Sequence, residues 1–586
     1  MPPAHACNTC KRRKVKCDGI EPCANCRISG LQCGYNARRM RRAPESPRAI
    51  DQTPSPAAAS DPNAGFGGAI QAQATLGVAV ELQQALTEPQ HQSQSPQWLS
   101  SPETPDSNSG ESAQAPIFHY DAVQVHSALL TGVDALLGSE SILDVAHECI
   151  DFFVQYLFPN TPVAHEPTLR AAVTLLAFDS RSTLAGRTPA SSNTDHITCL
   201  RRFALITALC AFVMSTMPAP PPSPSPRSLL SRVFLAASRA MLRVYDAYDL
   251  EHPDSTSLTI RMWHSAAMQN TTGRVGTSYQ YHAEAAFLAQ RLRLHDEASV
   301  QQHTKLESQI LRASFWLLYL ADKTAMALET RPPVLHEAVF DSELTLLDNG
   351  KQDEPLLDST KPVNRNALET RLFVGFHLKR RIWAAAADLL VEIKSFSRRE
   401  ARGEIQSGPE RENELTRLSE AYLLFASLAD QLPTWLKSPD AASDHERDAM
   451  YETVSAYQRS CFWTQRSNIM TVFHCMRLVI LQKCVASDLP SVVGLNGQVM
   501  PCAMRKIEIV RDFLHELQMV PFRCFKAQGE TAVERIRRVG TILLELVHNT
   551  ENKVIEKVAR SQFGQLLDLL AKLDSKASDE LAGGPA

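Results

Sequence analysis

From about Ile117 onward, apolar residues recur at spacings of three and four, broken by Pro- or Ser-rich interruptions. SILDVAHECIDFFVQYLFP places Ile142, Val145, Cys149, Phe152, Phe153 and Tyr156 on one side of a predicted helix, which Pro159 and Pro162 end. YHAEAAFLAQRLRLHDE (Tyr281–Glu297) and LESQILRASFWLLYLADKTAMAL (Leu306–Leu328) predict two more. Further helices are predicted over LFVGFHLKRRIWAAAADLLVEIKS, ELTRLSEAYLLFASLADQL, FWTQRSNIMTVFHCMRLVILQKC, AMRKIEIVRDFLHEL and AVERIRRVGTILLELVHN. Alternating β-branched runs with Asn-Gly turns are nearly absent, so the pattern predicts an all-α body. No fixed period recurs, which disfavours the standard solenoids. TMPAPPPSPSPRS (Thr216–Ser228) reads as an exposed insert between helices.

The periodicity fails between about Ala43 and Pro116, where Pro, Ser, Ala and Gln dominate. Such composition cannot bury enough apolar surface to offset the entropy of ordering, so this stretch is expected to be a disordered linker. One short helical pattern inside it, IQAQATLGVAVELQQALTE (Ile70–Glu88), keeps no heptad and is interrupted by Gly77. The expected organisation is a cysteine-rich basic head over 1–42, the linker over 43–116, a large helical body over 117–575 and a disordered tail over 576–586.

Composition adds compartment and charge. The chain has 586 residues, 44% of them hydrophobic, enough for a sizeable core. MPPAHAC lacks the apolar core of a signal peptide, and the apolar stretch near Phe203–Met217 is too short to span a bilayer. A soluble chain in a reducing compartment, with no membrane partner, is therefore expected, where disulfides do not persist. Residues 1–48 carry a net charge of +8, against −4 for the whole chain. No lysine or arginine occurs between Arg48 and Arg170. A basic head on an acidic body suggests a polyanion-binding module attached to something else.

Six of the 14 cysteines fall in CNTCKRRKVKCDGIEPCANCRISGLQC, spaced C-x2-C-x6-C-x5-C-x2-C-x6-C. The set is Cys7, Cys10, Cys17, Cys23, Cys26 and Cys33, two copies of one C-x2-C-x6-C unit. A C-x2-C pair brings two thiolates to one ion, and zinc takes four tetrahedral ligands with sulfur at about 2.3 Å. Two zinc ions need eight metal–sulfur bonds, so two of the six thiolates must bridge. The pseudo-symmetry makes the leading members of each half, Cys7 and Cys23, the natural bridges. One zinc then has Cys7, Cys10, Cys17 and Cys23; the other has Cys23, Cys26, Cys33 and Cys7. Such closed sites are structural. The competing readings are a disulfide knot, a thiol-rich metal store or redox sensor, and a zinc module that binds protein.

With its KRRKVK stretch, the Asp18-Gly19 turn and Pro22 before the fourth cysteine, this segment resembles the fungal Zn2Cys6 binuclear cluster of transcription factors. The resemblance implies a small zinc-nucleated fold of two short helices, two Zn2+ ions, and double-stranded DNA with CGG-type half-sites as partner. Between second and third cysteines stands Lys11–Lys16, with five positive side chains; the equivalent Arg27–Gln32 has one. The first half is thus expected to face DNA, with the second, carrying Ile28 and Leu31, packing on it around Val15. By the resemblance, Lys14 contacts base edges with Arg13 beside it, and Lys11, Arg12 and Lys16 contact phosphates. Lysine to guanine O6 and N7 is a major-groove pairing, whereas phosphate contacts add affinity without sequence information. Arg38, Arg39, Arg41 and Arg42 form a basic tail suited to phosphates; with Lys11–Lys14 they also suit nuclear import receptors, and the expected location is the nucleus.

The body resembles the fungal transcription factor regulatory domain over about 140–540. The matching stretches are AAFLAQRLRLHDE (Ala285–Glu297), SFWLLYLADKTAMALETRPPVL (Ser314–Leu335) and FDSELTL (Phe340–Leu346), with weaker echoes in DQLPTWL (Asp430–Leu436) and QRSNIMTVFHCMRLVIL (Gln465–Leu481). Thr330 stands where that family has glycine, a departure expected to alter a turn. No nucleophile elbow, Walker loop or HExxH occurs, so no enzyme is expected; His264, His295 and His474 read as structural, and Asp322 and Lys323 as partners of other helices. No sustained heptads follow the cluster, leaving a monomer on DNA or a homodimer made by the body. QWLSSPETPDSNSGES (Gln97–Ser112) has a composition that recruits coactivators as well as one that serves as linker. The expected function is a sequence-specific activator of RNA polymerase II genes, of a secondary-metabolite gene cluster. The alternatives are a regulator of nutrient catabolism and a helical scaffold with a protein-binding zinc module.

Overall fold

A computed structural model describes Cys26, Gln32, Cys33 and residues 118–573, apart from 139, 187–192, 218–225, 351–353, 365–366, 406–407 and 441–448. The expected linker, the core of the Pro-rich insert and the C-terminal tail lie outside the described residues. The chain divides into two units, Met1–Phe66 and Gly67–Ala586, and every helix below belongs to the second. No strand occurs among the described residues.

Among the described residues of that unit there are thirteen long helices: α1 Phe118–Leu137, α2 Ile142–Phe152, α3 Asn193–Thr216, α4 Pro226–Glu251, α5 Ser255–Thr272, α6 Val275–Arg291, α7 Lys305–Leu328, α8 Leu368–Ala401, α9 Pro409–Ser427, α10 Ala449–Ala486, α11 Val499–Met519, α12 Glu530–Asn549 and α13 Lys553–Leu573. Two of them are hubs. α3 packs against α2, α4 and α5, with α1 laid on α4 and α6 on α5. α10 packs against α8, α11 and α12, and α13 folds back from α12 onto α11. α7 joins the two halves by contacting α5 and α6 on one side and α8 on the other.

Both hubs are long and apolar enough to cross a membrane by length and composition, over Thr194–Thr216 and Val454–Ala486. Here they are core helices, with 78% and 67% of those apolar windows buried in the fold. Within the span on α3, Arg201 is held by ion pairs. Arg201 reaches Asp254 at 2.5 Å and the fully buried Asp249 at 2.9 Å. Asp249 also accepts from Arg261 at 2.7 Å and from Ser257 Oγ at 2.6 Å, so its charge is compensated. Asp254 caps α5, accepting from the backbone N–H of Thr256 and Ser257.

On α10, buried Gln465 donates to the carbonyls of Pro159 (2.6 Å) and Leu372 (2.7 Å). A Cβ at position 375 of α8 would lie 2.0 Å from Gln465 Oε1, so Gly375 is what lets these two helices close.

Two sequence expectations change in detail. α6 starts at Val275 and stops at Arg291; Arg293 adopts φ 50°, and Leu292–Asp296 form a turn. His295 therefore sits in that turn, bonded to Asp341 at 3.0 Å and stacked on Phe340, rather than on a helix. The departure at Thr330 leaves the end of α7 intact, because Glu329, at φ 54°, takes the left-handed position. Beyond it, Asp322 gathers the next loop, accepting from Arg331 (2.5 Å) and the backbone N–H groups of Val334 (2.6 Å) and Leu335. Lys323 pairs with Asp388 of α8 at 2.7 Å. Both side chains tie elements together.

Buried histidines give the body a pH signature. Burial holds the imidazoles of His264 and His282 below their usual 6.5, and pushes those of His377 and His474 down to about 4. The unfolded chain takes up these protons near 6.5, the fold only well below. As pH falls from 6.5 toward 4 the unfolded state binds more protons, so stability present above 6.5 is lost across that window. The urea midpoint of the full chain should fall steadily between these pH values, and less steeply in His474→Gln. A midpoint unchanged over the window contradicts the assignment.

Candidate metal centre and nucleic-acid interface

Of the six cysteines with zinc-ligand spacing, two are described. Cys26 is helical and 1% exposed; Cys33 lies outside regular structure and is half-buried, next to exposed Gln32. A helical second member of a C-x2-C pair, with its thiol shielded from solvent, fits a closed structural site rather than an exposed reactive thiol. The donor set fits zinc chemically, since all six groups are soft thiol sulfurs. Cys7, Cys10, Cys17 and Cys23 lie outside the described residues. So do the predicted DNA contacts Lys11, Arg12, Arg13, Lys14, Lys16, Arg38, Arg39, Arg41 and Arg42.

The body's thiols are of another kind. Burial pushes the Cys475 and Cys484 thiols up to about 12, and raises Cys461 and Cys524 as well. They are protonated at neutral pH and pack as small apolar groups. Among the described residues no group of three or more His, Cys, Asp or Glu could hold a metal ion. The histidines singled out in the sequence have local partners: His264 bonds Ser238 Oγ at 2.8 Å, and His474 lies 3.1 Å from Arg477.

Two side chains that the sequence did not single out stand apart from these pairs. Lys379 of α8 and Arg535 of α12 are each 4% exposed, and among the described residues no carboxylate is seen to pair with either. Lys379 belongs to HLKRRIW, which reads as a solvated charge run; only the packing of α8 against α10 puts its ammonium inside.

Residues 5–42 match the model of the fungal Zn(2)-Cys(6) binuclear cluster domain. The same end of the chain is 41% identical over 46 residues to an uncharacterized transcriptional regulatory protein of Schizosaccharomyces pombe, covering 8% of this chain and 6% of that one. It is 42% identical over 52 residues to activator of stress genes protein 1 of Candida albicans, covering 9% and 5%. It is also similar to the C6 finger domain transcription factor nscR of Arthroderma otae, 41% identical over 70 residues and 10% of each chain. The matches thus span a tenth or less of these relatives' lengths.

Zinc released from the purified full chain should amount to two ions per chain. Cys26→Ser should hold fewer than two, whereas Cys475→Ser, in the body, should keep both. Equal zinc in Cys26→Ser and the parent chain overturns the ligand assignment. The chain carries at its N-terminus a fungal Zn(2)-Cys(6) binuclear cluster domain, which binds two zinc ions.

Proposed function

We propose that this protein is a zinc-dependent, sequence-specific regulator of RNA polymerase II transcription that acts in the nucleus. The observation that carries this reading is the unequal charge of two halves with identical cysteine spacing. A cluster that only held zinc, or only docked a protein, has no need to gather five cations between Cys10 and Cys17 and one between Cys26 and Cys33. In this reading Cys7 and Cys23 bridge the two ions. Lys14 and Arg13 meet the edges of a CGG triplet in the major groove, where the donor and acceptor pattern distinguishes all base pairs. Lys11, Arg12, Lys16, Arg38, Arg39, Arg41 and Arg42 neutralise phosphates, an affinity that weakens with salt.

The helical unit is the regulatory part, joined to the cluster by the Pro- and Ser-rich segment over 43–116. The names of the relatives, two of them transcriptional regulators and one an activator, support a regulator over an enzyme. For the regulated genes we favour a secondary-metabolite cluster, with nutrient catabolism as the alternative; both come from the family resemblance. A protein-binding zinc module on a helical scaffold is the rival class, and the same experiment separates it.

Lys14→Ala should weaken binding to a CGG-containing duplex by about 5- to 100-fold, the worth of one base contact at roughly 1–3 kcal/mol. Its affinity for random duplex should change little. Equal losses on both make Lys14 a phosphate contact, and a parent chain that binds neither duplex favours the scaffold.

A further inference from the structure

Three cations from three helices hold the C-terminal end of α7. Arg538 of α12 donates through Nη2 to the carbonyl of Leu328, the last residue of α7, at 3.0 Å. Lys394 of α8 and Lys483 of α10 reach the carboxylate of Glu329, the left-handed residue that ends the helix, at 3.3 and 3.5 Å. The free carbonyls of a helix end carry partial negative charge, so cations settle there. The four helices meet in this way without filling the space between them. A pocket of about 180 Å³ remains, lined by Ala327 of α7, Leu390 of α8, Val479 of α10 and Ile542 of α12, all buried and apolar.

An engineered cavity of about 150 Å³ with apolar walls takes up benzene, so room of this size accepts one ring with a small substituent. Exposed Val391 of α8 and Thr541 of α12 border the same pocket and place its mouth at the surface. Ligand sites commonly combine such an apolar lining with a few polar groups that fix orientation.

The polar lining decides which substituent. It has three cations, Lys394, Lys483 and Arg538, and two acids, Glu329 and Glu545. Glu329 already lies between the two lysines. Glu545 accepts from Gln482 Nε2 at 2.7 Å, and Gln482 accepts in turn from Lys506 Nζ. Arg538 is left with a neutral carbonyl, and among the described residues no carboxylate is seen to pair with it. That hydrogen bond uses one of the five N–H donors of a guanidinium, whose planar fork matches a carboxylate. We propose that this pocket binds a small monocarboxylic acid with a compact apolar body, its carboxylate on Arg538 and its body against Leu390, Val479 and Ile542. The net charge of the lining, +1, calls for one negative charge, and Glu329 and Glu545 oppose a second. This site is independent of DNA recognition by the zinc cluster.

The test is a ligand-observed NMR titration of the purified, zinc-loaded full chain with benzoate, and separately with benzyl alcohol and with acetate. Benzoate is expected to bind saturably, at least about 10-fold more tightly than benzyl alcohol, which keeps the ring, or acetate, which keeps the charge. Arg538→Met should weaken benzoate binding about 10- to 100-fold, the loss of a hydrogen bond between charged groups, and leave benzyl alcohol unchanged. Thr541→Trp, a change at an exposed position on the mouth, should block both ring compounds. No saturable binding of benzoate, equal affinity for benzyl alcohol or acetate, or undiminished benzoate binding in either variant overturns the proposal. Should Arg538→Met not fold, the ranking of the three probes on the parent chain still decides the chemistry, and Thr541→Trp the place.

Discussion

A helix with apolar residues on every side has no solvent face, and α3 and α10 are two such helices over most of their length. Burying them requires a shell of other helices around each, which is what α1, α2, α4 and α5 do for one hub and α8, α11 and α12 for the other. It also requires that charged and amide groups carried inside be held by partners. Arg201 is paired with Asp249 and Asp254, and Gln465 with two backbone carbonyls. The close approach at Gly375 follows from the same demand, since a side chain there would displace the Gln465 amide.

Charge is handled in opposite ways by the two parts of the chain. In the body, buried Asp249, Asp322 and Lys323 are neutralised by neighbours within hydrogen-bond distance, so they fix packing and have little left for an outside partner. In the N-terminal head the cations of Lys11–Lys16 are crowded into six consecutive positions with no acid among them. Crowding of that kind destabilises a small domain unless a polyanion relieves it.

The periodic helices were legible where one face is apolar and the other polar, as in α7 and α12. α3 gave no such one-sided signal, because a helix buried all round loses its 3.6-residue contrast. α5 was missed for the converse reason: Arg261 and His264 sit on its buried face and interrupt the apolar pattern. Helix ends followed caps and left-handed residues, such as Arg293, that propensity does not reveal. The Zn(2)-Cys(6) cluster domain was readable because cysteine spacing is a local, one-dimensional property. The buried cations were not, because Lys379-Arg380-Arg381 has the composition of a surface, and only Arg380 has its acid, Asp348, at 2.7 Å.

The central claim is that zinc holds the basic half of the cluster in the shape that reads DNA. The most direct measurement is the affinity of the full chain for a CGG-containing duplex relative to a scrambled duplex of the same composition, with zinc bound, after chelation, and after zinc is restored. The account predicts a preference of at least roughly 100-fold with zinc, its loss on chelation and its return with the metal. Equal affinity for both duplexes in the zinc-loaded protein, or a preference that survives chelation, contradicts it.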